Sequence, residues 1–450
     1  ITTRLVGSEM CIRDSYRGEI MSKELKICII GAGSTYTPEL IEGIINKRES
    51  LPLKHLYLMD IEDRKLNIVG GLCKRMIEAE KLDCEVVLTK DLDAALENAD
   101  FVLAQIRVGK LPARVLDEKI PLKYGLIGQE TNGIGGFFKG MRTIPEIMNI
   151  VHHMEKLCPD AWLINFSNPS GMIAEAVLNN SKIKMMGLCN VPINTMDSIR
   201  KAMNLPNAYI EYLGLNHLAW VTGIRDNGTD YLQKAIDEGL NGAVMQNIPA
   251  SGFSHELIKT VGAIPTCYLE YYYFKDGKLE KAMNAEKCRG EICMEIEEQL
   301  LEIYSNSELH TKPELLSKRG GARYSEVAIN LVDSIYNDKR DVQVVNVLNK
   351  GAIPFMDDND AVEVCAIIGK DGAEPIKTNC HNEHIKEIMK MMKAYEKHAV
   401  KAALTGDEDE AMRALMINPL VFDYHKAKPC FDELKEAHKL HLPEFFKENK

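Results

Sequence analysis

The chain has 450 residues, of which 45% are hydrophobic and 27% are charged, and its formal net charge is −11. This length is too great for one compact core, and the composition is typical of a globular protein in water. The negative charge argues against a nucleic acid as partner, and no apolar run approaches the ~20 residues that a membrane-spanning helix needs.

Residues 1–20 differ in character from the rest of the chain. The chain begins with Ile1 rather than Met, and residues 1–20 carry no signal-peptide pattern. The run LVGSEMCIRDS, which starts at Leu5, resembles translated sequencing-adaptor sequence more than natural protein. We therefore take Met21 as the natural start and expect residues 1–20 to be a non-native or disordered extension.

From Met21 onward, short β-rich runs alternate with helical stretches. The predicted strands cover residues 26–30, 55–59, 84–88, 101–105, 161–165 and 184–188, and the first two predicted helices cover residues 37–46 and 61–80. Apolar strands separated by helices indicate a parallel sheet with helices on both faces. Residues 125–140 contain too many glycines for a helix and predict an ordered loop.

The regular alternation weakens after about residue 195, where we place a domain boundary. The predicted fold class is α/β, with a Rossmann-like, doubly wound parallel sheet in residues 21–195. Residues 196–450 predict a second domain of mixed α+β structure. Within it, residues 362–368 predict a strand and residues 385–404 predict an amphipathic helix.

The twelve cysteines are scattered along the chain and predict free thiols rather than disulfide bonds. Several of them, such as Cys28 and Cys365, lie inside apolar strand-like runs, where cysteine behaves as a small hydrophobic residue. A reducing cytoplasm is the simplest setting for so many unpaired thiols. The sequence has no CxxC pair, which argues against a structural zinc ribbon.

A glycine-rich turn follows the first predicted strand. Gly31, Gly33 and Ser34 precede a helix, where the backbone can approach a pyrophosphate and the helix N-terminus offers free N–H groups. The third position of the dinucleotide fingerprint is Tyr36, so the motif is incomplete. Asp60 ends the second predicted strand, where an acid accepts both ribose hydroxyls and repels a 2′-phosphate, which favours NAD over NADP. The alternative is that Asp60 caps the next helix.

Two residues with metal-binding side chains each follow a short apolar segment. Cys189 and His217 are both good ligands for divalent transition metals, but two separated residues do not define a site. Further along, four tyrosines cluster after Pro265, and such clusters are more often packing elements: Tyr268, Tyr271, Tyr272 and Tyr273. A metal or cationic neighbour would lower a tyrosine pKa enough for base catalysis, but spacing does not select the tyrosine.

In combination, these motifs resemble glycoside hydrolase family 4, the NAD-dependent phospho-glycosidases. The resemblance is carried, in chain order, by GAGSTYTPEL at Gly31, QIRVGKLPAR at Gln105, LDEKIPLKYGLIGQET at Leu116, NPSG at Asn168, GLCNVPI at Gly187, GLNHLAW at Gly214 and ALMINPLV at Ala414. It implies a lactate/malate dehydrogenase-like fold, in which residues 196–450 form a domain for catalysis, substrate binding and oligomerisation. The same resemblance implies NAD and a divalent metal, most simply Mn²⁺, as cofactors, and a phosphorylated sugar as substrate. It also implies a cytoplasmic homodimer or homotetramer.

The resemblance assigns roles to residues at the matching positions. Cys189 and His217 match the metal ligands, and Tyr268 matches the catalytic base. Glu130 matches the residue that raises the basicity of that tyrosine. The mechanism so implied is oxidation at carbon 3 by NAD, loss of the proton on carbon 2 to the tyrosine, elimination of the aglycone, addition of water and re-reduction.

Four further residues match or suggest contacts with the substrate or the cofactor. Arg114 and Asn168 match substrate contacts, to the phosphate or the adjacent hydroxyls. Arg107, on the cofactor side, and Arg323, on the substrate side, are further candidates for phosphate binding, because guanidinium groups bind phosphate bidentately. An ion pair between the domains is the alternative for both arginines.

Asn190 points to one branch of the family. The CNVP and NHL motifs resemble the 6-phospho-β-glucosidase branch, whereas the α branch carries Asp directly after the metal-binding cysteine as general acid. An asparagine cannot donate a proton as a carboxylic acid does, so Asn190 favours substrates such as cellobiose 6-phosphate and leaves water or another residue to protonate the aglycone. The alternatives are a family 4 α-glycosidase or α-galacturonidase, an NAD-dependent hydroxy-acid dehydrogenase, and an inactive NAD-sensing regulator.

Overall fold

The computed structural model describes residues 24–240, 252–319 and 323–447, so the extension predicted at residues 1–20 lies outside the described residues. The strands, numbered in chain order, are β1 (Leu25–Ile30), β2 (Leu53–Met59), β3 (Glu85–Thr89), β4 (Phe101–Ala104), β5 (Trp162–Asn165), β6 (Lys184–Gly187), β7 (Tyr209–Leu215), β8 (Leu218–Asp226), β9 (Thr229–Asp230), β10 (Ile264–Pro265), β11 (Asp341–Leu348), β12 (Ala361–Gly369) and β13 (Gly372–Pro375).

The helices are α1 (Thr37–Asn46), α2 (Asp63–Ala79), α3 (Leu92–Leu96), α4 (Lys110–Lys119), α5 (Gly133–Leu157), α6 (Ser170–Asn180), α7 (Val191–Met203), α8 (Leu232–Asp237), α9 (His255–Val261), α10 (Glu270–Tyr273), α11 (Lys275–Met283), α12 (Arg289–Tyr304), α13 (Leu316–Arg319), α14 (Tyr324–Tyr336), α15 (Glu383–Thr405), α16 (Glu408–Ile417) and α17 (Tyr424–Ala437). Short 3₁₀ turns lie at Pro121–Tyr124, Cys267–Leu269, Lys439–His441 and Pro443–Phe446. None of these helices is long and apolar enough to cross a membrane.

All of these strands belong to one sheet, whose main path runs β10-β8-β7-β12-β11-β6-β5-β4-β1-β2-β3. The six strands of the N-terminal half pair in parallel in the order β3-β2-β1-β4-β5-β6, which is the doubly wound Rossmann arrangement and confirms the predicted fold class. The remaining strands pair antiparallel, and the two halves join where Asn346 of β11 lies opposite Gly187 of β6. The division of the chain at residue 195 stays a prediction.

The register of the parallel strands places their carboxyl ends side by side. Ile30, the last residue of β1, lies opposite Met59 of β2 and Ala104 of β4. Each of these strands consists largely of buried apolar residues, because helices cover both faces of the sheet. The turns that follow β1, β2 and β4 therefore meet at one edge, where ligands bind in open α/β sheets.

Most predicted elements agree with the structure to within about two residues, but the loop predicted across residues 125–140 is wrong in its second half, because α5 begins at Gly133. The glycines at the start of α5 do not form a turn; they let the helix backbone approach neighbouring backbone segments closely. A Cβ atom on Gly135 would lie 2.7 Å from the backbone oxygen of Asp117, and one on Gly136 would lie 2.2 Å from the carbonyl carbon of Thr131. The helix can therefore pack directly against the loop before it.

All eleven cysteines in the described residues are free thiols, and Cys28 and Cys365 are buried, as the sequence predicts.

The strand and the helix predicted in the second half of the chain are both present, as β12 and α15. The buried side of α15 includes Ile385, Met389 and Met392, which follow the helical spacing of the sequence. The methionines of this stripe are therefore core residues.

A buried ion pair joins α4 to α5. The carboxylate of Asp117 accepts two hydrogen bonds from the Arg142 guanidinium, at 2.9 and 2.6 Å, and the Nε2 atom of His438 lies 2.8 Å from the same carboxylate. Burial would raise the pKa of Asp117, but Arg142 and His438 hold this pKa below its usual range.

We expect Asp117→Ala to lower the free energy of unfolding by about 3–5 kcal/mol in urea denaturation, because Arg142 would stay buried without its partner. The control is Asp83→Ala, which removes an ion pair with Lys54 at the surface and should leave the unfolding transition unchanged. Equal losses of stability in the two variants would contradict the assignment of the buried pair as a stabilising contact.

Candidate active site

A cavity of about 1000 Å³ opens at the carboxyl ends of the parallel strands. Eleven of the thirteen residues predicted from the sequence line it: Gly31, Gly33, Ser34, Asp60, Arg107, Arg114, Glu130, Asn168, Asn190, His217 and Tyr268. Cys189 lies directly behind this surface, with its Sγ atom 3.5 Å from Nε2 of His217. The structure therefore brings twelve of the thirteen predicted residues together, and the exception is Arg323.

The glycine-rich turn lines this cavity between β1 and α1. Gly31 has a φ angle of +86° and a Cβ atom there would lie 2.9 Å from the backbone oxygen of Gln105, so this position requires glycine. The backbone N–H of Gly33 donates to Oδ2 of Asp60 at 2.8 Å, and that of Glu62 donates to Oδ1 at 2.9 Å. Burial raises the pKa of Asp60. Asp60 thus ties the turn to the end of β2 and does not cap α2, whose N-cap residue is Glu62.

Cys189 and His217 come from different parts of the sheet. Cys189 follows β6, and His217 lies in the tight turn between β7 and β8, with a φ angle of +65°. Two ligands bound about 2.3 and 2.1 Å from one ion are about 3.1–3.6 Å apart when the angle between them is 90–110°. The observed separation of 3.5 Å between Sγ and Nε2 therefore fits a shared divalent ion.

The two predicted metal ligands, Cys189 and His217, form an open set. In the described parts of the chain, no group of three or more His, Cys, Asp or Glu side chains is arranged to hold a metal ion. A Cys and His pair would leave the other coordination positions to water or substrate oxygens, as in catalytic rather than structural sites. Burial raises the pKa of the Cys189 thiol well above its usual value and lowers the pKa of His217 to about 3.

Tyr268 stacks on His217. Their ring centroids are 3.8 Å apart and the ring planes differ by 11°. Strand pairing produces this contact, because β10 pairs with β8 and the backbone N–H of Thr266 donates to the oxygen of Ala219 at 3.1 Å. Tyr268 follows two residues later and is therefore placed beside the turn that contains His217. Burial, together with Cys267 and Cys189, raises the pKa of Tyr268 well above its usual value.

The other three tyrosines of the cluster have different surroundings. Tyr271 lines the cavity and its ring centroid lies 6.3 Å from that of Tyr268. The hydroxyl of Tyr272 donates to Asn132 at 3.4 Å, and the hydroxyl of Tyr273 lies 3.2 Å from Nε1 of Trp220. Among these four tyrosines, Tyr268 is the one whose ring stacks on a predicted metal ligand, His217.

Glu130 lies among three cationic side chains. Its carboxylate is 2.5 Å from Nη1 of Arg107, 2.7 Å from Nη1 of Arg114 and 2.5 Å from Nζ of Lys139. Burial would raise the pKa of Glu130, but Arg107, Arg114 and Lys139 hold it well below its usual range. Burial and Arg107 lower the pKa of Lys139 to about 7, although Glu130 opposes them. Arg114 also pairs with Glu118 at 2.7 Å, so three basic side chains face two carboxylates here, and the remaining positive charge suits an anionic ligand.

Two asparagines that line the cavity lie at helix starts. Asn190 is the N-cap residue of α7 and is buried, and its backbone oxygen accepts a hydrogen bond from Nδ2 of Asn194 at 2.8 Å. Asn168 is half-buried and precedes Pro169 at the start of α6. Both side chains follow parallel strands, β6 and β5, in the region where the sequence predicts ligand binding.

Arg323 lies apart from these residues. It is the N-cap residue of α14, lines a separate cavity of about 340 Å³, and pairs with Asp197 and Glu326, each at 2.7 Å. Both partners fall, like Arg323, within predicted domain 196–450, so these ion pairs are not the contact between domains that the sequence leaves open as the alternative. Its assignment to the substrate stays a prediction.

Sequence reasoning missed the hydrogen-bond partners of the site. Lys139 was hidden by the prediction that its segment is a loop; a single lysine inside the apolar run GGFFKG is the signal that could have identified it. Thr131 lies 2.6 Å from Nδ1 of His217, and Glu363 accepts from Nδ2 of Asn216, the residue before His217, at 2.9 Å. Thr131 and Glu363 come from segments distant in sequence from His217, so no spacing pattern reveals the contacts.

Comparison with known proteins gives matches over nearly the whole chain. A family model described as family 4 glycosyl hydrolase matches residues 26–205, and its C-terminal domain model matches residues 212–421. The chain is 44% identical to a probable 6-phospho-beta-glucosidase of Bacillus subtilis, covering 95% of this chain and 99% of that protein. It is 40% identical to a 6-phospho-beta-glucosidase of Escherichia coli, covering 94% and 98%.

Solved structures agree with these matches. The 6-phospho-beta glucosidase of Thermotoga maritima, determined with NAD and glucose-6-phosphate, superposes with a TM-score of 0.86 at 32% identity, covering 93% of this chain and 99% of that chain. A second structure of that protein, with a TM-score of 0.84, also contains manganese. Malate dehydrogenase of Plasmodium falciparum, at 13% identity and a TM-score of 0.50, shares only the fold with this chain. This likeness confirms the prediction of a lactate/malate dehydrogenase-like fold.

Proposed function

The chain belongs to family 4 of the glycosyl hydrolases, and from this premise we propose that it hydrolyses 6-phospho-β-glucosides, such as cellobiose 6-phosphate, to glucose 6-phosphate and an aglycone. The observation that carries the proposal is that His217 lines the same cavity as the glycine turn and Asp60, with Cys189 behind it and Tyr268 stacked on its ring. A glycosidase that uses NAD and a metal ion requires two side chains that can bind the ion, a tyrosine beside them and a dinucleotide-binding turn.

The cofactors are NAD and a divalent metal ion, most simply Mn²⁺. When bound, NAD would accept a hydride from carbon 3 of the sugar and return it, while the metal ion would polarise the neighbouring sugar oxygens. The turn residues Gly31, Gly33 and Ser34 would hold the pyrophosphate and Asp60 the ribose, with Arg107 nearby. Cys189 and His217 would hold the metal ion.

The remaining residues of the cavity would act on the sugar. Tyr268 would remove the proton from carbon 2, and Glu130 would support its basicity across the cavity. Arg114 and Asn168 would bind the phosphate or the adjacent hydroxyls, since both line the cavity and Arg114 is one of the basic side chains around Glu130. Arg323, which lines the separate cavity, stays a candidate for substrate binding.

The preference for the β-anomer is supported by Asn190, which lines the cavity next to Cys189 and lacks the acidic proton of an aspartate. It is also supported by the names of the relatives that are 40–44% identical to the chain. The deciding assay is hydrolysis of p-nitrophenyl β-D-glucoside 6-phosphate with and without NAD and Mn²⁺, beside the α-anomer and the unphosphorylated glucoside. We expect cleavage of the phosphorylated β-anomer only, and only with both cofactors.

Other outcomes of this assay identify the alternatives. Cleavage of the α-anomer alone would make the chain a family 4 α-glycosidase and would refute the argument from Asn190. Net accumulation of NADH on a hydroxy acid, without glycoside cleavage, would instead indicate a dehydrogenase, because the glycosidase returns its hydride. The free thiols and the phosphorylated substrate support a cytoplasmic location. We propose a homodimer or homotetramer, which light scattering tests directly.

The proposed contact of Asp60 with the ribose can be tested by its effect on cofactor affinity and on the preference for NAD over NADP. We expect Asp60→Ser to weaken NAD binding by about 10- to 100-fold, because a charged hydrogen bond contributes about 1.5–3 kcal/mol. The same change removes the repulsion of a 2′-phosphate, so the preference for NAD over NADP should fall. Fluorescence titration with both nucleotides measures this preference, and an unchanged ratio of the two dissociation constants would move ribose recognition to another residue.

A further inference from the structure

A chain of hydrogen bonds leads from the loop before α5 to His217. It begins at Gln129, whose side-chain Oε1 atom accepts from the backbone N–H groups of Thr131, at 2.7 Å, and Asn132, at 2.8 Å. An atom that accepts from two backbone N–H groups must be the amide oxygen, because the amide nitrogen has no acceptor capacity. The orientation of the Gln129 side chain is therefore determined by the backbone.

This orientation decides where the proton of the Thr131 hydroxyl lies. The Oγ1 atom of Thr131 is 2.9 Å from Oε1 of Gln129 and 2.6 Å from Nδ1 of His217. Since Oε1 can only accept, the single hydroxyl proton of Thr131 is donated to Gln129. The Thr131 oxygen must then accept from His217, so the imidazole carries its proton on Nδ1. The lone pair of a neutral His217 is consequently on Nε2, the atom that faces Sγ of Cys189 at 3.5 Å.

The loop that contains Gln129 and Thr131 is itself closely packed. Gly128 and Gly133 form an antiparallel bridge across its base. Gly136, in the first turn of α5, has no side chain to displace Thr131, whose carbonyl carbon would be 2.2 Å from a Cβ atom there. The hydroxyl of Thr131 is thus held against His217 by the backbone of the loop and by the start of α5.

We propose that Gln129 and Thr131 are positioning residues, which hold His217 in the Nδ1–H tautomer and so present its Nε2 lone pair, beside the Cys189 sulfur, to a divalent metal ion. The proposal rests on the assignment of Cys189 and His217 as metal ligands in the proposed function. It extends the site to two residues that do not touch the ion. A metal-bound histidine whose other nitrogen donates to a fixed acceptor has its ring orientation and its basicity set by that acceptor.

Two matched pairs of variants test the proposal. Thr131→Val keeps the shape of the side chain but removes the acceptor, whereas Thr131→Ser keeps the hydroxyl. Gln129→Met removes the amide oxygen, whereas Gln129→Glu keeps an acceptor in its place. The Mn²⁺ dissociation constant of each purified protein is measured by electron paramagnetic resonance of the free ion, without substrate. We expect Thr131→Val and Gln129→Met to bind Mn²⁺ about 10- to 100-fold more weakly, and their two partners to bind nearly as tightly as the parent.

Proton–nitrogen NMR of histidine-labelled protein reads the tautomer directly, with His217→Asn to assign the signal. In the metal-free parent we expect the proton on Nδ1. In Gln129→Met the Thr131 hydroxyl is free to donate to His217, so we expect the proton to move to Nε2. Equal Mn²⁺ affinities in all four variants, or a parent protein with its proton on Nε2, would overturn the proposal. A parent that shows the Nδ1–H tautomer but binds no Mn²⁺ would refute the metal site of the proposed function, and the positioning role with it, while the hydrogen-bond chain itself would stand.

Discussion

Replacing Cys189 by alanine is expected to abolish Mn²⁺ binding and to lower hydrolysis of the phosphorylated β-glucoside by at least ~1000-fold. A metal ion that polarises the sugar contributes several kcal/mol to catalysis, and about 4 kcal/mol corresponds to this factor. His217 alone provides one ligand, and the described residues offer no cluster of three metal-binding side chains to replace Cys189. Mn²⁺ binding and turnover are measured on the same preparation, so that loss of the ion and loss of rate are compared directly.

The control for this variant is Cys430→Ala. Cys430 is a fully buried free thiol in α17 and does not line the cavity. Its removal tests the effect of deleting a buried sulfur without touching the site, and we expect Mn²⁺ binding and the hydrolysis rate to stay at the parent values. Full activity of Cys189→Ala with bound Mn²⁺ would show that the ion is held elsewhere.

Replacing Tyr268 by phenylalanine is expected to lower the hydrolysis rate by about 100- to 10,000-fold, the range that a general base contributes. The phenyl ring keeps the stacking contact with His217, whose centroid lies 3.8 Å away, and loses only the hydroxyl group. NAD and Mn²⁺ should therefore bind as tightly as in the parent. Single-turnover assays with both cofactors present separate this loss of rate from a loss of binding.

Tyr273→Phe is the matched control, because its hydroxyl contacts Trp220 and His384 and its side chain does not line the cavity. We expect this variant to retain near-parent activity. If Tyr268→Phe were equally active, the base would have to be another group, and Tyr271, the neighbouring tyrosine in the cavity, would be tested next.

The parallel half of the fold was predictable because its signals are local. The apolar run of β1 with its following glycines, and the boundaries of α1 at residues 37 and 46, can be read from neighbouring residues alone. The start of α5 could not be predicted in this way. Gly135 and Gly136 favour a loop by composition, but in the structure they allow the helix to pack against residues 117 and 131, a contact that only the tertiary fold creates.

The site shows the same distinction. Cys189, His217 and Tyr268 were identified through family motifs, and composition or spacing alone does not select them. Their contact depends on the pairing of β7, β8 and β10, which no local pattern specifies. Lys139 and Thr131 were missed because their functional contacts, with Glu130 and His217, are made across the fold. Ion pairs with Asp197 and Glu326 hold Arg323 at a separate cavity; Glu326 is three residues away in the chain, whereas the contact with Asp197 is made across the fold.

The central claim is that Tyr268 exchanges a proton at carbon 2 of the sugar while the glycosidic bond is broken by elimination. Hydrolysis of the phosphorylated β-glucoside in heavy water, with NAD and Mn²⁺, tests it most directly. The account predicts that the glucose 6-phosphate formed carries solvent deuterium at carbon 2, because the proton removed by the tyrosine exchanges with solvent before it is replaced. Full-rate hydrolysis with no deuterium at carbon 2 would contradict the account and would indicate direct displacement at carbon 1.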